Sequence, residues 1–377
     1  MNDSPSTERP SLYGATIEEL RDLARGLGAP RHTATQLGEW LYRHRANSFE
    51  EMSNLKKSFR AELSERYTVA PTKPERVTED PDGTRKYLFE TESGHLIETA
   101  VIPQPSRLTL CLSSQAGCAR GCRFCATAAQ GLQGNLSVRD ILNQYRSVPE
   151  RDGITNIVFM GMGEPLDNVD AVIAAIRVLT EPWGYGMSSR RITVSTSGGR
   201  HALERVLAET SVHIAVSVHT PFPDERAELV PGEGAFPLED TLDLLASTPR
   251  SSFRKVTLEY VVLPGANDSS RHADALAKRS RSLGATINVI PYNPTSAAPV
   301  QPEPGTQSPS SARPGRPEPP EDPVRAAERF SALLADRGAT VTLRRSRGRS
   351  IAAACGMLST AAYRQRRQPS PTSTPGA

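Results

Sequence analysis

The sequence predicts an α/β fold in which a small N-terminal helical domain precedes a partial (β/α)6 barrel. From residue 108 onward, short β-branched and apolar runs alternate with helical patterns, which indicates βα units and a parallel sheet. Six such units are found, whereas a closed barrel of this type has eight, so we expect an open barrel. Residues 16–67 carry helical periodicity alone.

The helical domain is expected to span residues 1–75 and to contain three helices. The first begins at a capping box, because Thr16 is followed three residues later by Glu19 and then by leucines at helical spacing. The second is predicted over residues 32–44 and the third over residues 49–67. Basic residues lie among the apolar ones, and the residues alone indicate a packing module.

A β-hairpin extension is predicted over residues 76–105. Residues 86–90 and 95–102 have strand-like composition, and Glu92-Ser93-Gly94 between them is typical of a hairpin turn. Glu98 lies inside the second strand, where most glutamates face solvent.

The barrel domain is expected to span residues 106–358. Its strands are predicted at residues 108–112, 154–161, 191–196, 212–218, 255–262, 286–291 and 340–343. Its helices are predicted at residues 138–145, 169–179, 202–208, 238–246, 271–283 and 324–336.

Two segments do not fit this alternation. Residues 296–322 are rich in Pro, Ser, Gly and Gln, so they cannot bury enough apolar surface to offset the entropy of ordering. We therefore expect a flexible insertion there, and a disordered basic tail over residues 359–377.

Charge and cysteine content narrow the compartment and the partners. The net charge of +3 is a weak indication of nucleic acid, but seven arginines and no acid lie between positions 344 and 367. Such a run attracts phosphates, or else forms a solvated tail. No apolar run is long enough to span a membrane, and residues 1–10 lack the apolar region of a signal peptide. The five cysteines, three of them clustered, favour the reducing cytoplasm over a disulfide scaffold.

Cys118, Cys122 and Cys125 form the densest candidate site, at spacings of four and three residues. Thiolates on one compact loop suit an iron–sulfur cluster or a zinc ion. No fourth Cys or His lies nearby in the sequence, so one iron of a cluster would stay open to bind a substrate.

A second group of candidates lies where the predicted strands end. Ligands of parallel α/β folds bind at the carboxyl ends of the strands, because the loops there converge. Glycine lets the backbone approach a ligand, and a carboxylate accepts from an ammonium group. The candidates are Gly163, Glu164, Ser195, Ser217, Val218, His219 and Asn293.

The remaining cysteines are Cys111 and Cys355. A leftover cysteine is most often an inert buried thiol. Cys111 ends the first barrel strand, directly before the three-cysteine loop. Cys355 lies in a stretch of small residues that could approach a substrate closely.

The three-cysteine motif, with Phe124 before the last cysteine, resembles the signature of the radical S-adenosylmethionine (SAM) superfamily. Its flanks, residues 111–118 and the Met-Gly-Met-Gly-Glu-Pro-Leu stretch at 160–166, resemble the adenine-C2 RNA methyltransferases of bacteria. Those enzymes act on 23S rRNA and tRNA. The resemblance runs over residues 16–358, and it implies an N-terminal domain that docks RNA.

The resemblance also implies the cofactors and partners. A [4Fe–4S] cluster is expected on Cys118, Cys122 and Cys125, and two SAM molecules per turnover are expected on the strand-end residues. The expected partners are 23S rRNA, tRNA and an electron donor such as flavodoxin. A cytoplasmic monomer without membrane association is expected.

The family's reaction scheme assigns a role to three further residues. Cys355 accepts a methyl group from SAM, a second SAM generates a 5′-deoxyadenosyl radical, and the activated carbon joins C2 of the adenine. Glu98 accepts the C2 proton. Cys111 then attacks the Cys355 sulfur and leaves a transient disulfide.

Alternatives remain at this point. The C8-specific relative of these enzymes shares the cysteines, and residues 262–268 resemble that branch, whereas Glu164-Pro165 and Trp40-Leu41-Tyr42 favour the C2 branch. A non-catalytic iron–sulfur protein that binds RNA is a third interpretation. One departure from the family pattern is Ser350, where relatives carry Asp, and this change puts the anchoring of the Cys355 loop in question.

Overall fold

The structure, a computed structural model, describes residues 9–249, 251, 253, 255–294 and 321–363. Almost all of the predicted insertion at 296–322, and the tail from residue 364, lie outside the described residues. No helix in the described parts of the chain is both long and apolar enough to cross a bilayer.

Helices and strands follow one another along the chain. The α-helices are α1 (Ile17–Gly26), α2 (Thr33–Gly38), α3 (Lys57–Arg66), α4 (Ala126–Ala129), α5 (Val138–Arg146), α6 (Val169–Thr180), α7 (Arg200–Glu209), α8 (Pro223–Leu229), α9 (Leu238–Ser247), α10 (Ser270–Leu283) and α11 (Pro323–Asp336). The strands are β1 (Arg76–Glu79), β2 (Arg85–Glu90), β3 (Leu96–Gln104), β4 (Arg107–Cys111), β5 (Gln115–Ala116), β6 (Gly134–Asn135), β7 (Asn156–Phe159), β8 (Ile192–Thr196), β9 (His213–Ser217), β10 (Val256–Val262), β11 (Thr286–Pro291) and β12 (Val341–Leu343).

Ten strands form one sheet in the order β1-β2-β3-β4-β7-β8-β9-β10-β11-β12. In this sheet the first four strands pair antiparallel, and each neighbouring pair from β4 to β12 is parallel. β5 and β6 form a separate antiparallel pair. Within the described residues β12 does not pair with β4, so the sheet is open. The α/β class and the incomplete barrel predicted from the alternating pattern are therefore confirmed.

The N-terminal helices agree with the sequence only in part. Thr16 and Glu19 form the predicted capping box at the start of α1. The second helix changes to π-helical geometry over Glu39–Arg43. The prediction that the third helix begins at residue 49 was wrong, because the chain first makes tight turns and α3 starts at Lys57.

The helical region and the barrel share one apolar core. Tyr42 is fully buried, and its ring lies 5.8 Å from that of Trp183 and 5.6 Å from that of Tyr185, both from the loop after α6. Buried aromatic contacts of this kind hold the helices against the barrel rather than leaving them on a free linker.

The antiparallel strands before the barrel are a three-stranded extension of the main sheet. The predicted hairpin corresponds to β2 and β3, and β1 adds a strand that the composition did not indicate. Glu98 on β3 is 0% exposed, contrary to the usual solvent-facing position of a strand glutamate. A fully buried carboxylate needs a partner, and that partner is described below.

Candidate active site

One cavity lies at the carboxyl ends of the parallel strands. These strand ends and the loops that follow them are here called the rim. Its empty space, including the open mouth, is about 1210 Å³. The candidate residues that line it are Cys111, Cys118, Cys122, Cys125, Gly163, Glu164, Ser195, Ser217, His219, Asn293 and Cys355. Val218 and Glu98 are buried and do not line it.

The loop that carries three cysteines, residues 117–125, is called the cluster loop. Cys118 is buried, and Cys122 and Cys125 are half-buried. Gly117 has a φ of +81°, and a Cβ there would lie 1.8 Å from the carbonyl oxygen of Gly131. Only glycine fits this turn, so the backbone that precedes the cysteines is fixed in shape.

Arg120 anchors the cluster loop to the rim. Its guanidinium donates to both oxygens of Asp167, with Nε–Oδ2 2.9 Å and Nη2–Oδ1 2.6 Å, and to the carbonyl of Gly198 at 3.1 Å. The same group lies 3.7 Å from the ring centroid of Phe236. A bidentate arginine–carboxylate pair adds geometric specificity, and here the arginine is buried while Asp167 is half-buried.

The donor set of the cluster loop fits an iron–sulfur cluster. Burial raises the pKa of Cys118 to about 12 and raises the pKa values of Cys122 and Cys125 as well. The thiols therefore need bound metal cations to become thiolates at neutral pH. In the described residues no three Cys, His, Asp or Glu side chains are arranged to hold a single metal ion. A cluster does not require that arrangement, because its thiolates bind different irons.

Gly163 and Glu164 follow β7 at the rim. Gly163 has a φ of +98°, and a Cβ there would lie 2.5 Å from the Cβ of Gln115, so glycine is required. Glu164 Oε2 accepts from the amide of Ser197 at 2.9 Å and from its hydroxyl at 3.0 Å. Burial raises the pKa of Glu164, and these donors together with Arg120 oppose the shift. The carboxylate faces the cavity, where it can accept from a ligand's ammonium group.

His219 follows β9 and connects the rim to the cluster loop. The amide of Val261 donates to its Nδ1 at 3.1 Å, so in the neutral ring Nε2 carries the proton. Burial, and secondarily Arg226, lowers the pKa of His219 to about 3, which keeps the ring neutral. Its ring meets that of Phe124 edge-on at 4.6 Å.

Arg226 on α8 holds the backbone of the rim, a role that the sequence did not indicate. Its guanidinium donates to the carbonyls of Ser197 (2.7 Å), Ser217 (2.8 Å) and Val218 (3.0 Å). Its charge is compensated by a buried ion pair with Glu233. Sequence analysis missed α8 itself, and with it this residue.

The segment that carries the fifth cysteine, residues 347–360, is called the Cys355 segment. The amide of Ala126, directly after Cys125, donates to the carbonyl of Gly356 at 2.7 Å. Asn293 Nδ2 donates to the carbonyl of Cys355 at 3.3 Å, while its buried Oδ1 has no hydrogen-bond partner in the described residues. The segment therefore lies over the start of α4, beside the cluster loop.

Ser350 anchors this segment where relatives are expected to carry Asp. Its amide and hydroxyl both donate to Asp80 Oδ2, at 3.0 and 2.5 Å. The amide of Gly348 donates to Asp82 Oδ2 at 2.9 Å. Asp80 and Asp82 belong to an Asp-Pro-Asp-Gly stretch that is typical of a turn. The sequence did not indicate that this turn binds the Cys355 segment.

Cys111 and Cys355 are free thiols that line the same cavity. Burial raises the pKa of Cys111 to about 12, the nearby Cys355 adds to the shift, and Arg344 opposes it. Arg344 lines the cavity with both cysteines. The sequence analysis included Arg344 only as one member of an arginine-rich run. It did not predict that this residue follows β12 and lines the cavity.

Glu98 lies in a buried ion pair. Its Oε1 is 2.9 Å from Lys86 Nζ on β2, and its Oε2 accepts from the amide of Ser359 at 3.0 Å. Burial raises the pKa of Glu98, and Lys86 opposes the shift. Lys86 was not among the predicted site residues.

Family models match two parts of the chain. Residues 112–276 match the Radical SAM superfamily, and residues 11–69 match the ribosomal RNA large subunit methyltransferase N-terminal domain.

Proteins similar to this chain carry consistent names. A probable dual-specificity RNA methyltransferase RlmN from Porphyromonas gingivalis is 45% identical, with 96% of this chain and 97% of that protein covered. The dual-specificity RNA methyltransferase RlmN from Pelobacter propionicus is 40% identical, with 93% and 96% covered. The crystal structure of a radical SAM methyltransferase from Sphaerobacter thermophilus superposes with a TM-score of 0.78 at 38% identity, covering 93% of this chain and 99% of that one.

These matches do not favour the C8-specific alternative or a non-catalytic role. The helical region and part of the barrel each match a family model, and one RNA methyltransferase is similar to the chain over 96% of its length. The chain belongs to the RlmN family of dual-specificity RNA methyltransferases within the radical SAM superfamily.

Proposed function

We propose that this enzyme methylates C2 of an adenine in 23S rRNA, at the peptidyl-transferase centre, and of the adenine 3′ of the anticodon in tRNA. One observation carries the proposal: the two spare thiols, Cys111 and Cys355, line the same cavity as the three cysteines of the cluster loop. The dual-specificity RNA methyltransferases to which the chain is similar support the choice of RNA.

Cys118, Cys122 and Cys125 would hold the cluster. The rim residues that line the cavity would hold SAM, namely Gly163, Glu164, Ser195, Ser217, His219 and Asn293. When bound, the cluster and two SAM molecules per turnover supply the methyl group and the radical chemistry that activates it. Glu164 and the uncharged His219 offer an acceptor and a donor on the cavity wall for the polar groups of SAM.

Cys355 serves as the methyl carrier. C2 of adenine lies between two ring nitrogens and is electron-poor, so it cannot attack a methyl group as a nucleophile. A thiolate can, and Cys355 offers its thiol to the cavity from a segment of small residues. The carbon that Cys355 carries then becomes joined to C2.

Glu98 and Cys111 complete the transfer. Glu98, which adjoins the Cys355 segment through the amide of Ser359, accepts the C2 proton, and its Oε1 is held by Lys86 Nζ at 2.9 Å. The Cys111 thiolate attacks the Cys355 sulfur, which breaks the bond between that sulfur and the transferred carbon. A Cys111–Cys355 disulfide forms, the carbon takes up a proton, and a reductant later restores both thiols.

Two basic regions serve RNA binding. Arg344, Arg345 and Arg347 line a smaller cavity that also contains Cys355, so phosphates can be held close to the methyl carrier. The helical region at residues 11–69 is the second docking surface. Its match to an rRNA methyltransferase domain supports this assignment.

The working form is a cytoplasmic monomer that takes electrons from a donor such as flavodoxin. Its RNA substrates are in the cytoplasm, and the five thiols are free.

Mass spectrometry of adenines tests this function. rRNA and tRNA from cells with and without the gene are digested and compared, and the reconstituted enzyme is assayed anaerobically with SAM and each RNA. We expect 2-methyladenosine only when the enzyme is present. 8-Methyladenosine, or SAM cleavage without any modified adenine, would overturn the proposal.

A further inference from the structure

The Lys86–Glu98 pair contacts the Cys355 segment on both sides of Cys355. Lys86 Nζ lies 2.9 Å from Glu98 Oε1 and donates to the carbonyl of Ala352 at 3.3 Å. Glu98 Oε2 accepts from the amide of Ser359 at 3.0 Å. Two strands of the antiparallel extension thus hold the segment three residues before and four residues after the thiol.

The contact at Ala352 falls at a bend of the segment. Ala352 has a φ of +52°, in the left-handed region that is unfavourable for residues with a Cβ. A conformation of this kind persists only where surrounding contacts impose it. The Lys86 ammonium, which is 8% exposed, supplies one such contact to the carbonyl at the bend.

We propose that Lys86 is a positioning residue that holds the Cys355 segment against Glu98, and so sets the placement of the Cys355 thiol relative to that carboxylate. The inference rests on the proposed function for the roles of Cys355 and Glu98. The contacts of Lys86 with Glu98 and with Ala352 are here called the brace. They lie within this chain, so the brace can be tested in the absence of RNA.

The same lysine governs the charge of Glu98. The groups that face the Glu98 carboxylate are Lys86 from β2 and the Ser359 amide from the Cys355 segment, while Met162 Sδ meets its backbone amide. Among these contacts of the described residues, Lys86 alone is charged. Burial raises the pKa of Glu98 and Lys86 lowers it, so removal of the ammonium raises it further.

The first test measures the reactivity of Cys355 in the full-length holoenzyme. Iodoacetamide is added anaerobically without RNA, and alkylation at Cys355 is followed by peptide mass spectrometry. Lys86→Met should speed alkylation severalfold, because the segment is freed at Ala352, whereas Lys86→Arg should stay near wild type. Lys278→Met, an exposed lysine on α10, is the matched control and should change nothing.

The second test is the pH profile of methylation. Glu98 accepts a proton only when ionised, so activity is lost as the pH falls through its pKa. Lys86→Met should therefore shift the acidic side of the pH profile to higher pH. For a shift of one pH unit, the rate at a fixed pH below the pKa falls about tenfold. Lys86→Arg keeps the charge and should keep the wild-type profile.

The outcomes separate this inference from the proposed function. A wild-type enzyme that makes no 2-methyladenosine overturns the function, while the alkylation result still decides whether the brace exists. Wild-type methylation, together with an unchanged alkylation rate and pH profile in Lys86→Met, overturns the inference alone.

Lys86→Met leaves the buried Glu98 carboxylate unpaired, so the experiment includes a folding control. If this variant unfolds, the double variant Lys86→Met/Glu98→Gln removes both charges and replaces it in the alkylation test. Rapid Cys355 alkylation in the double variant supports the brace, and a wild-type rate overturns it.

Discussion

The cluster loop and the Cys355 segment lie on the same cavity but are held by different kinds of contact. Arg120 ties the cluster loop to the rim through a bidentate pair with Asp167, and Arg226 donates to three rim carbonyls. The Cys355 segment is held through backbone groups by a few side chains, among them Lys86, Asp80 and Asn293.

The difference matches what each region has to do. Cofactor-binding groups gain from being fixed before the ligand arrives, because no ordering entropy is then lost on binding. Under the proposed function the Cys355 thiol takes up a carbon, joins it to RNA and then meets Cys111, so it needs a segment that can change its contacts. Hydrogen bonds between its backbone and charged side chains break at a cost of about 1.5–3 kcal/mol each, less than the roughly 3–5 kcal/mol lost when a buried ion pair is broken.

The largest expected effect is on the cluster side. Cys122→Ala should abolish iron binding and all methylation, because two thiolates cannot hold a cluster that leaves one iron open. Iron content and 2-methyladenosine are measured on the purified protein, with Cys355→Ala as the control that keeps its iron. Full iron content and activity in Cys122→Ala would refute the assignment of the cluster loop.

On the other side of the cavity, Cys111→Ala should lose turnover without losing the first half of the reaction. The methyl is still accepted and joined to C2, but no thiolate is present to attack Cys355, so the protein stays covalently bound to RNA. Cys355→Ala should form no adduct. Nuclease-sensitive mass on a denaturing gel distinguishes them, and free protein from Cys111→Ala cells would contradict the assigned roles.

Arg226→Met tests the rim as a rigid support. The substitution leaves Glu233 as an unpaired buried charge and frees three carbonyls, so we expect a loss of about 3–5 kcal/mol in the free energy of unfolding. Urea denaturation of the anaerobic protein measures it. The exposed Arg271 of α10 offers a matched control, since Arg271→Met should cost less than about 1 kcal/mol. A loss in Arg226→Met as small as that in Arg271→Met would show that Arg226 is not a rigid support of the rim.

The smallest effect is expected at Ser350. Ser350→Ala removes one hydroxyl hydrogen bond to Asp80 and should cost about 1 kcal/mol of stability. Ser350→Asp places a second carboxylate beside Asp80, so it should slow methylation more than Ser350→Ala while iron content stays unchanged. Thermal unfolding, iron analysis and single-turnover methylation separate the effects. Faster methylation in Ser350→Asp would show that Asp80 does not anchor the segment.

Much of the fold could be predicted because its determinants are local. The capping box at Thr16 and Glu19 depends on residues three apart, and both side chains form the expected bonds. The alternation of strands and helices reflects hydrophobic periodicity, which is also a short-range property. The predicted start of the third helix was wrong because the turns after residue 49 compete with helical geometry, and composition alone does not decide between turns and helix.

The sequence by itself indicated which chemistry to expect, since three cysteines at spacings of four and three residues, and two others at positions 111 and 355, are the candidate donors without reference to a structure. Only the tertiary structure decided how those donors are held. Lys86 and Glu98 pair across two strands, Arg226 reaches three rim carbonyls, and Asp80 binds a residue 270 positions later. The physical reason is that a buried charge is stabilised by whatever partner the fold brings within hydrogen-bonding distance, and that partner's position in the chain follows from topology rather than from local pattern.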